Sequence, residues 1–352
     1  MPYSSQQKSA FWKICRDSQD FLSNQMFRPK RQLKTGDQIA TAGSCFAQNI
    51  GAYIKKSDLT LVDVEPAPYG MPPDVAKRYG YDLFSARYGN IYTARQLRQL
   101  LTDAVTGDVH KEAIWGQDGA FFDGLRPGIE PHGYASVDAL KAHRRDHLDR
   151  VRSIFETADM FIFTLGLTEA WQDTRTGLAF PTAPGVVAGT YDPARHSFVN
   201  FRFNEVVEDM NIAFELMRDI APDISLLLTV SPVPLTATAT DTHVLAATTY
   251  SKSVLRAAAE ELALSHPNVD YFPSYELVCG VPFVSGSYTA NLRTVGRSAV
   301  DRVMSVFFEA HAEIRKPDME DPQPIAAPGF DDLDADDALI CEEMLLEVFA
   351  DK

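Results

Sequence analysis

Ile39-Ala40-Thr41-Ala42-Gly43-Ser44-Cys45-Phe46-Ala47 runs from an apolar, β-prone approach into a glycine, then two small residues that can act as nucleophiles, then the start of a helical pattern. That order reads as strand, tight turn, helix. In a parallel sheet, such a turn lifts a serine or a thiol to the carboxyl end of a strand. It also points that group at a helix N-terminus, where free backbone N–H groups and the helix dipole favour a thiolate or an oxyanion.

The same alternation continues outward. A strand over 37–43 leads to a helix from Ala47 to Lys55 and a second strand over Leu59-Thr60-Leu61-Val62-Asp63. Residues 65–81 are rich in Pro and Gly and read as loop. Thr93 with Gln96 three residues on has capping-box spacing and starts a helix to about Val105. A small hairpin is expected around Ala113-Ile114-Trp115 and Ala120-Phe121-Phe122, and Ser136 caps a long helix to about Glu156. Met160-Phe161-Ile162-Phe163-Thr164-Leu165, closed by Gly166, is a continuous apolar run suited to a strand buried on both faces. An insertion over 172–197 follows, then a helix from Asn200 to Ile220 and a strand from Ile224 to Val230 stopped by Ser231-Pro232. A helix over Thr248 to Ser265, a last strand at Val269-Asp270-Tyr271-Phe272 and a helix from Thr294 to Ala312 complete the body. Strand–helix alternation implies an α/β, doubly wound, mostly parallel sheet, with ligands at the carboxyl ends of the strands. Ser44 and Cys45, Gly166 to Trp171, and Ser231 to His243 all fall at such ends.

Composition narrows the class. The chain has 352 residues, 45% of them hydrophobic, with no apolar run long enough to span a membrane. Its four cysteines (Cys15, Cys45, Cys279, Cys341) are far apart, with neither metal-site spacing nor a disulfide framework. Together with the lack of a basic-then-apolar leader pattern, this leads us to expect a cytoplasmic location, no metal and no cofactor. The net charge of −15 is concentrated at the end: residues 317–352 carry 12 acids and one base, against 36 acids and 32 bases elsewhere. With no basic stripe on the body, nucleic acid is not an expected partner. Four segments are expected: a helical extension over 1–35, the α/β body over 36–312, an acidic Pro/Asp-rich linker over 313–338 and an amphipathic helix over 339–352. That last helix is expected to dock through Leu339, Ile340, Met344, Leu345, Val348 and Phe349, on its own body, on a second copy in a homo-oligomer or on a protein partner.

Gly43-Ser44-Cys45-Phe46-Ala47 resembles the signature of the GSCFA-domain family, grouped with the SGNH/GDSL-like hydrolases. Tyr88-Gly89-Asn90-Ile91-Tyr92-Thr93, Thr164 to Trp171, Ser231 to Leu235, Tyr250-Ser251-Lys252 and Tyr271 to Glu276 are also similar to that family. The resemblance implies a flavodoxin-like three-layer α/β/α fold. It also implies an acyl-ester hydrolase or O-acyltransferase acting on a carbohydrate or glycan precursor. In its register the nucleophile is the second residue after the glycine, which favours Cys45 with Ser44 as orienter or oxyanion donor; a thiol is also easier to activate than a hydroxyl. Oxyanion donors are implied at the Cys45 N–H, at Gly89 or Asn90, and in the block Gly166-Leu167-Thr168-Glu169. Trp171 reads as a pocket wall or core residue, one that would stack on the ring in a sugar site.

The base departs from the pattern. The block that ends with Asp-x-x-His in these hydrolases aligns here with Asn291 and Thr294, and neither can act as a general base near neutral pH. The replacement we expect is His243 in Asp241-Thr242-His243, its tautomer fixed by Asp241 or Glu169. Arg293 and Lys252 are candidates for an anionic substrate group, with Lys252 expected near a helix start. His132 and His196 are weaker candidates in loops, while His143, His147, His266 and His311 read as solvated. With the usual base lost, a non-catalytic binding or scaffold protein on a hydrolase fold is the alternative reading.

Overall fold

A computed structural model describes residues 1–13, 26–317 and 342–349. In chain order the elements of the body are β1 (Gln38–Gly43), α1 (Phe46–Ile54), β2 (Thr60–Leu61), α2 (Pro73–Arg78) and α3 (Ala94–Thr106). Next come β3 (Ile114–Gln117), β4 (Ala120–Asp123), α4 (Val137–Thr157), β5 (Met160–Leu165), β6 (Glu169–Asp173), β7 (Ala179–Phe180) and β8 (His196–Asn200). The body ends with α5 (Phe203–Ile220), β9 (Ser225–Val230), α6 (Val244–Ser265), β10 (Val269–Tyr271), α7 (Ser274–Cys279) and α8 (Arg297–Glu309). A 3₁₀ helix, Glu342–Phe349, lies apart from them in sequence.

The central sheet has the order β10-β9-β5-β1-β2, with every pairing parallel. From β1 the chain steps outward to β2, then returns to the other side of β1 as β5. The ends of β1 and β5 are therefore the topological switch point, where α/β sheets open a crevice. Strand alternation sends Ala40, Ala42, Phe161, Phe163, Leu226 and Leu228 to one core. Ile39, Met160, Ile162 and Leu227 face the other. The first core is closed by α3, α4, α5 and α6, whose apolar residues recur at helical spacing, as in Leu148, Val151 and Phe155. The second is closed by α1, α7 and α8, together with Phe27, Leu33 and Ile314. Residues from both expected flanking segments thus pack into the body.

Local signals hold where they are self-contained. Thr93 and Gln96 form the reciprocal capping box, and the Ser136 hydroxyl accepts from the Ala139 N–H. Three readings change. Residues 65–81 contain the short helix α2, started by Pro73 at its first turn. The insertion expected over 172–197 has regular structure: with the residues just before and after it, it forms a small antiparallel sheet of order β7-β6-β8. His147 and His311 are buried, not solvated. His147 pairs through Nδ1 with Glu65 at 2.7 Å, and His311 Nδ1 accepts from the Leu33 N–H at 3.3 Å. Burial lowers both imidazoles to about 4, so both rings are neutral at ordinary pH. The helical extension expected over 1–35 lies partly outside the described residues; within it Lys8–Ala10 is a 3₁₀ turn. Most of the expected linker lies outside them as well. Among the described residues no helix is long and apolar enough to cross a membrane, and no cluster of three or more His, Cys, Asp or Glu could hold a metal ion.

Candidate active site

Three backbone segments meet at the switch point. Gly43, the last residue of β1, pairs with Thr164 of β5. The Ser44 N–H continues that ladder to the Thr164 carbonyl at 3.1 Å, and the Ile91 N–H reaches the Gly43 carbonyl at 2.9 Å. Both the Gly166 and Leu167 N–H groups donate to the Tyr92 carbonyl. Ser44, Tyr92 and Gly166 are thereby locked side by side. A Cβ on Gly166 would come within 3.0 Å of Ser44 Cβ and 3.1 Å of the Tyr92 carbonyl oxygen, so the approach depends on that residue having no side chain.

Ser44 and Cys45 are both buried. The Ser44 hydroxyl has no hydrogen-bond partner among the described residues. Leaving it so costs about 1–3 kcal/mol, a cost borne at the carboxyl edge of the sheet where a substrate group would bind. Cys45 is the N-cap residue of α1, at the positive end of that helix's dipole.

Lys252 is the least expected member. α6 begins at Val244 rather than at Thr248, so Lys252 sits inside the helix and not at its start. Only 1% of it is exposed, and its Nζ donates to the Gly166 carbonyl at 2.7 Å. The preceding residue, Ser251, accepts the Thr168 N–H at 3.0 Å, which fixes the helix against the β5–β6 turn. Burial is the main cause lowering the ammonium to about 8. Glu343, Cys279 and Cys45 act in the opposite sense, and Arg293 adds to the lowering. One amine therefore responds electrostatically to both Cys45 and Cys279.

Cys279 and Tyr288 complete this side. The Tyr288 hydroxyl lies 2.9 Å from Cys279 Sγ and donates to the Pro232 carbonyl at 2.8 Å. Burial raises both groups, so both keep their protons at neutral pH. Opposite them, Gln48 Nε2 donates to Asn90 Oδ1 at 3.4 Å, which leaves Asn90 Nδ2 pointing at a carboxylate oxygen of Glu342. Tyr92 Oη donates to that same oxygen at 2.9 Å. Asn90, expected as an oxyanion donor, is therefore seen donating to an anion. Gly89 lies beside the same carboxylate.

Several expected roles fall elsewhere. His243 is exposed, and its Nδ1 accepts the Leu245 N–H at 3.1 Å as the N-cap of α6. Glu169 does not orient it: its carboxylate is bonded to the Thr238 hydroxyl at 2.7 Å and the Ala239 N–H at 3.4 Å, and burial raises its pKa. Asp241 is exposed in the same loop. The Thr168 hydroxyl donates to Asn200 Oδ1 at 2.7 Å and is committed to joining β6 to β8, so it does not face an oxyanion. Trp171 packs edge-on against Tyr191 and Phe198 within the small antiparallel sheet. His196 is buried beside that cluster. Asn291 organises a closed turn. Its Oδ1 accepts the Arg293 and Thr294 N–H groups at 2.9 and 2.8 Å, and its Nδ2 donates to the Thr294 hydroxyl at 2.9 Å. That turn aims Arg293 at Glu343, with 3.4 Å between Nη2 and Oε2.

Sequence reasoning missed Tyr92, Cys279 and Tyr288. Tyr288 lies in the block aligned on the missing Asp-x-x-His, and that position was its one available signal. Cys279 carries no local pattern at all.

The sequence matches a family model described as GSCFA family over residues 38–307. No curated protein matches the chain. Among solved structures it is similar to a carbohydrate esterase family 3 protein from Talaromyces cellulolyticus, at 7% identity and a TM-score of 0.35, covering 77% of this chain and 94% of that one. It is also similar to an acetyl esterase mutant with acetate ion, at 9% identity and a TM-score of 0.32, covering 79% and 94%.

Proposed function

The chain belongs to the GSCFA family, and on that premise we propose that it is an acyl-transfer enzyme of the esterase type, with Cys45 as nucleophile and Lys252 as its proton acceptor. The observation that carries this reading is Lys252: a buried amine lowered to about 8, hydrogen-bonded to the Gly166 carbonyl, within electrostatic reach of Cys45. A lysine tuned toward neutral pH by burial is a competent general base.

The step balances as follows. The Lys252 amine takes the Cys45 thiol proton, and the thiolate attacks the ester carbonyl carbon, forming a C–S bond. Asn90 Nδ2 and the Tyr92 hydroxyl hold the developing oxyanion, as they hold the Glu342 carboxylate. The C–O bond to the leaving group breaks, and the Lys252 ammonium returns its proton to the departing alkoxide. Water, or an acceptor hydroxyl, then resolves the thioester. Ser44, with its hydroxyl beside this point, orients the acyl group. The resemblance to glycan-modifying hydrolases supports a carbohydrate ester as the substrate.

Non-catalytic binding is favoured by one observation: Asn291 and Thr294 are tied into a turn where the usual base would stand. Two substitutions separate the readings. Cys45→Ala is expected to abolish turnover of a model acyl ester, while His243→Ala leaves it within about twofold, as for an exposed capping residue. Turnover unchanged in Cys45→Ala would overturn the catalytic reading. Turnover lost in His243→Ala, with the fold intact, would restore the histidine as base.

A further inference from the structure

The C-terminal segment sits on the site, and two of its acids contact site residues. An amphipathic helix was expected to dock through its apolar face. Of the residues named for that docking, Leu339 and Ile340 lie outside the described residues and Met344, Leu345 and Phe349 are exposed, while Glu343 is only 8% exposed. Glu342 places one carboxylate oxygen on Asn90 Nδ2 and Tyr92 Oη. Its other oxygen lies over two glycines: a Cβ on Gly128 would come within 3.4 Å of it, and one on Gly89 within 3.7 Å. Glu343 faces Arg293 at 3.4 Å and acts electrostatically on Lys252. A carboxylate this buried is tolerated only when paired, and both cations that receive it belong to the site.

From this seating we propose that Glu342–Phe349 is an intrinsic competitive ligand of the active site, and that the site is built to receive a carboxylate on Asn90 and Tyr92. Glu342 occupies the position assigned above to the oxyanion, while Glu343 engages Arg293 and biases Lys252 toward its charged form. The bound segment therefore blocks the acyl position and opposes loss of the lysine proton. The contacts of Glu342 and Glu343 are charge-assisted hydrogen bonds and an ion pair, so charge contributes to seating the segment. It is displaceable by competing anions and by ionic strength. The inference rests on the reading of Cys45 as the reacting group.

The test uses the full chain and reads thiol access, not turnover. Wild type and the Glu342→Gln/Glu343→Gln double variant are treated with iodoacetamide, and alkylation at Cys45 is followed by peptide mass spectrometry. Loss of the two carboxylate charges is expected to speed labelling of Cys45 by about tenfold. A synthetic peptide of residues 339–352 should slow it again in the double variant, and raised ionic strength should speed it in wild type. Labelling that is unchanged or slower in the double variant overturns the proposal, as does a peptide that gives no protection. If labelling changes as expected while neither protein turns over an ester, the plug stands and the catalytic reading falls.

Discussion

Replacing Lys252 with methionine is expected to lower turnover of a model acyl ester by about 10²–10⁴-fold, the usual contribution of a positioned general base. The fold should survive. Methionine fills a similar volume, and exchanging a buried charge for an apolar group is often neutral for stability. The main structural loss is the bond from Nζ to the Gly166 carbonyl. Arginine should not rescue, because it keeps the charge but does not titrate near neutral pH. The sign of the pH effect follows from the lowered amine. Below about 8 the lysine is protonated and cannot accept the Cys45 proton; above it the neutral amine can. The wild-type rate should therefore climb as pH rises through about 8, as a property of the Cys45–Lys252 pair. Lys252→Arg should remove that climb. A variant with wild-type turnover, or a wild-type rate flat across this range, contradicts the assignment.

Gly43→Ala is expected to cost about 3–5 kcal/mol, combining strained backbone with overpacking. Gly43 has φ +134°, a conformation L side chains rarely adopt. An added Cβ would meet the Thr164 carbonyl oxygen at 2.4 Å, its nitrogen at 2.7 Å and its Cα at 2.9 Å. These are backbone atoms of the paired strand, so relief requires parting β1 from β5. Thermal unfolding followed by circular dichroism should show a midpoint lower by about 4–7 °C, or a chain that does not fold. An unchanged midpoint would mean that the two strand ends are not this close.

The legible parts of the fold were those whose causes are local. The Gly43-Ser44-Cys45 turn, the Thr93/Gln96 box, the Ser136 cap and the apolar run of β5 each carry their reason within a few residues. What was misread depends on distant partners. His147 sits in a helix dense with charge, and its burial follows from Glu65, 82 positions away in sequence. The start of α6 was misplaced because histidine is not among the usual N-cap residues, yet the His243 ring accepts the Leu245 N–H and starts the helix there. That shift of one turn moved Lys252 from a helix start to a buried position and changed its chemistry. The apolar stripe of the C-terminal segment is visible in the sequence, whereas the contact of Glu342 with Asn90 spans 252 positions. No window of sequence contains that pair.

The central claim is that Cys45 accepts the acyl group. The most direct measurement is to trap that species: mix the full chain with excess p-nitrophenyl acetate at pH 8, quench in acid and locate the added acetyl group by peptide mass spectrometry. The account predicts one hydroxylamine-labile acetyl group on Cys45, absent from Cys45→Ala and strongly diminished in Lys252→Met. An acetyl group on Ser44, or none on either residue, would contradict it.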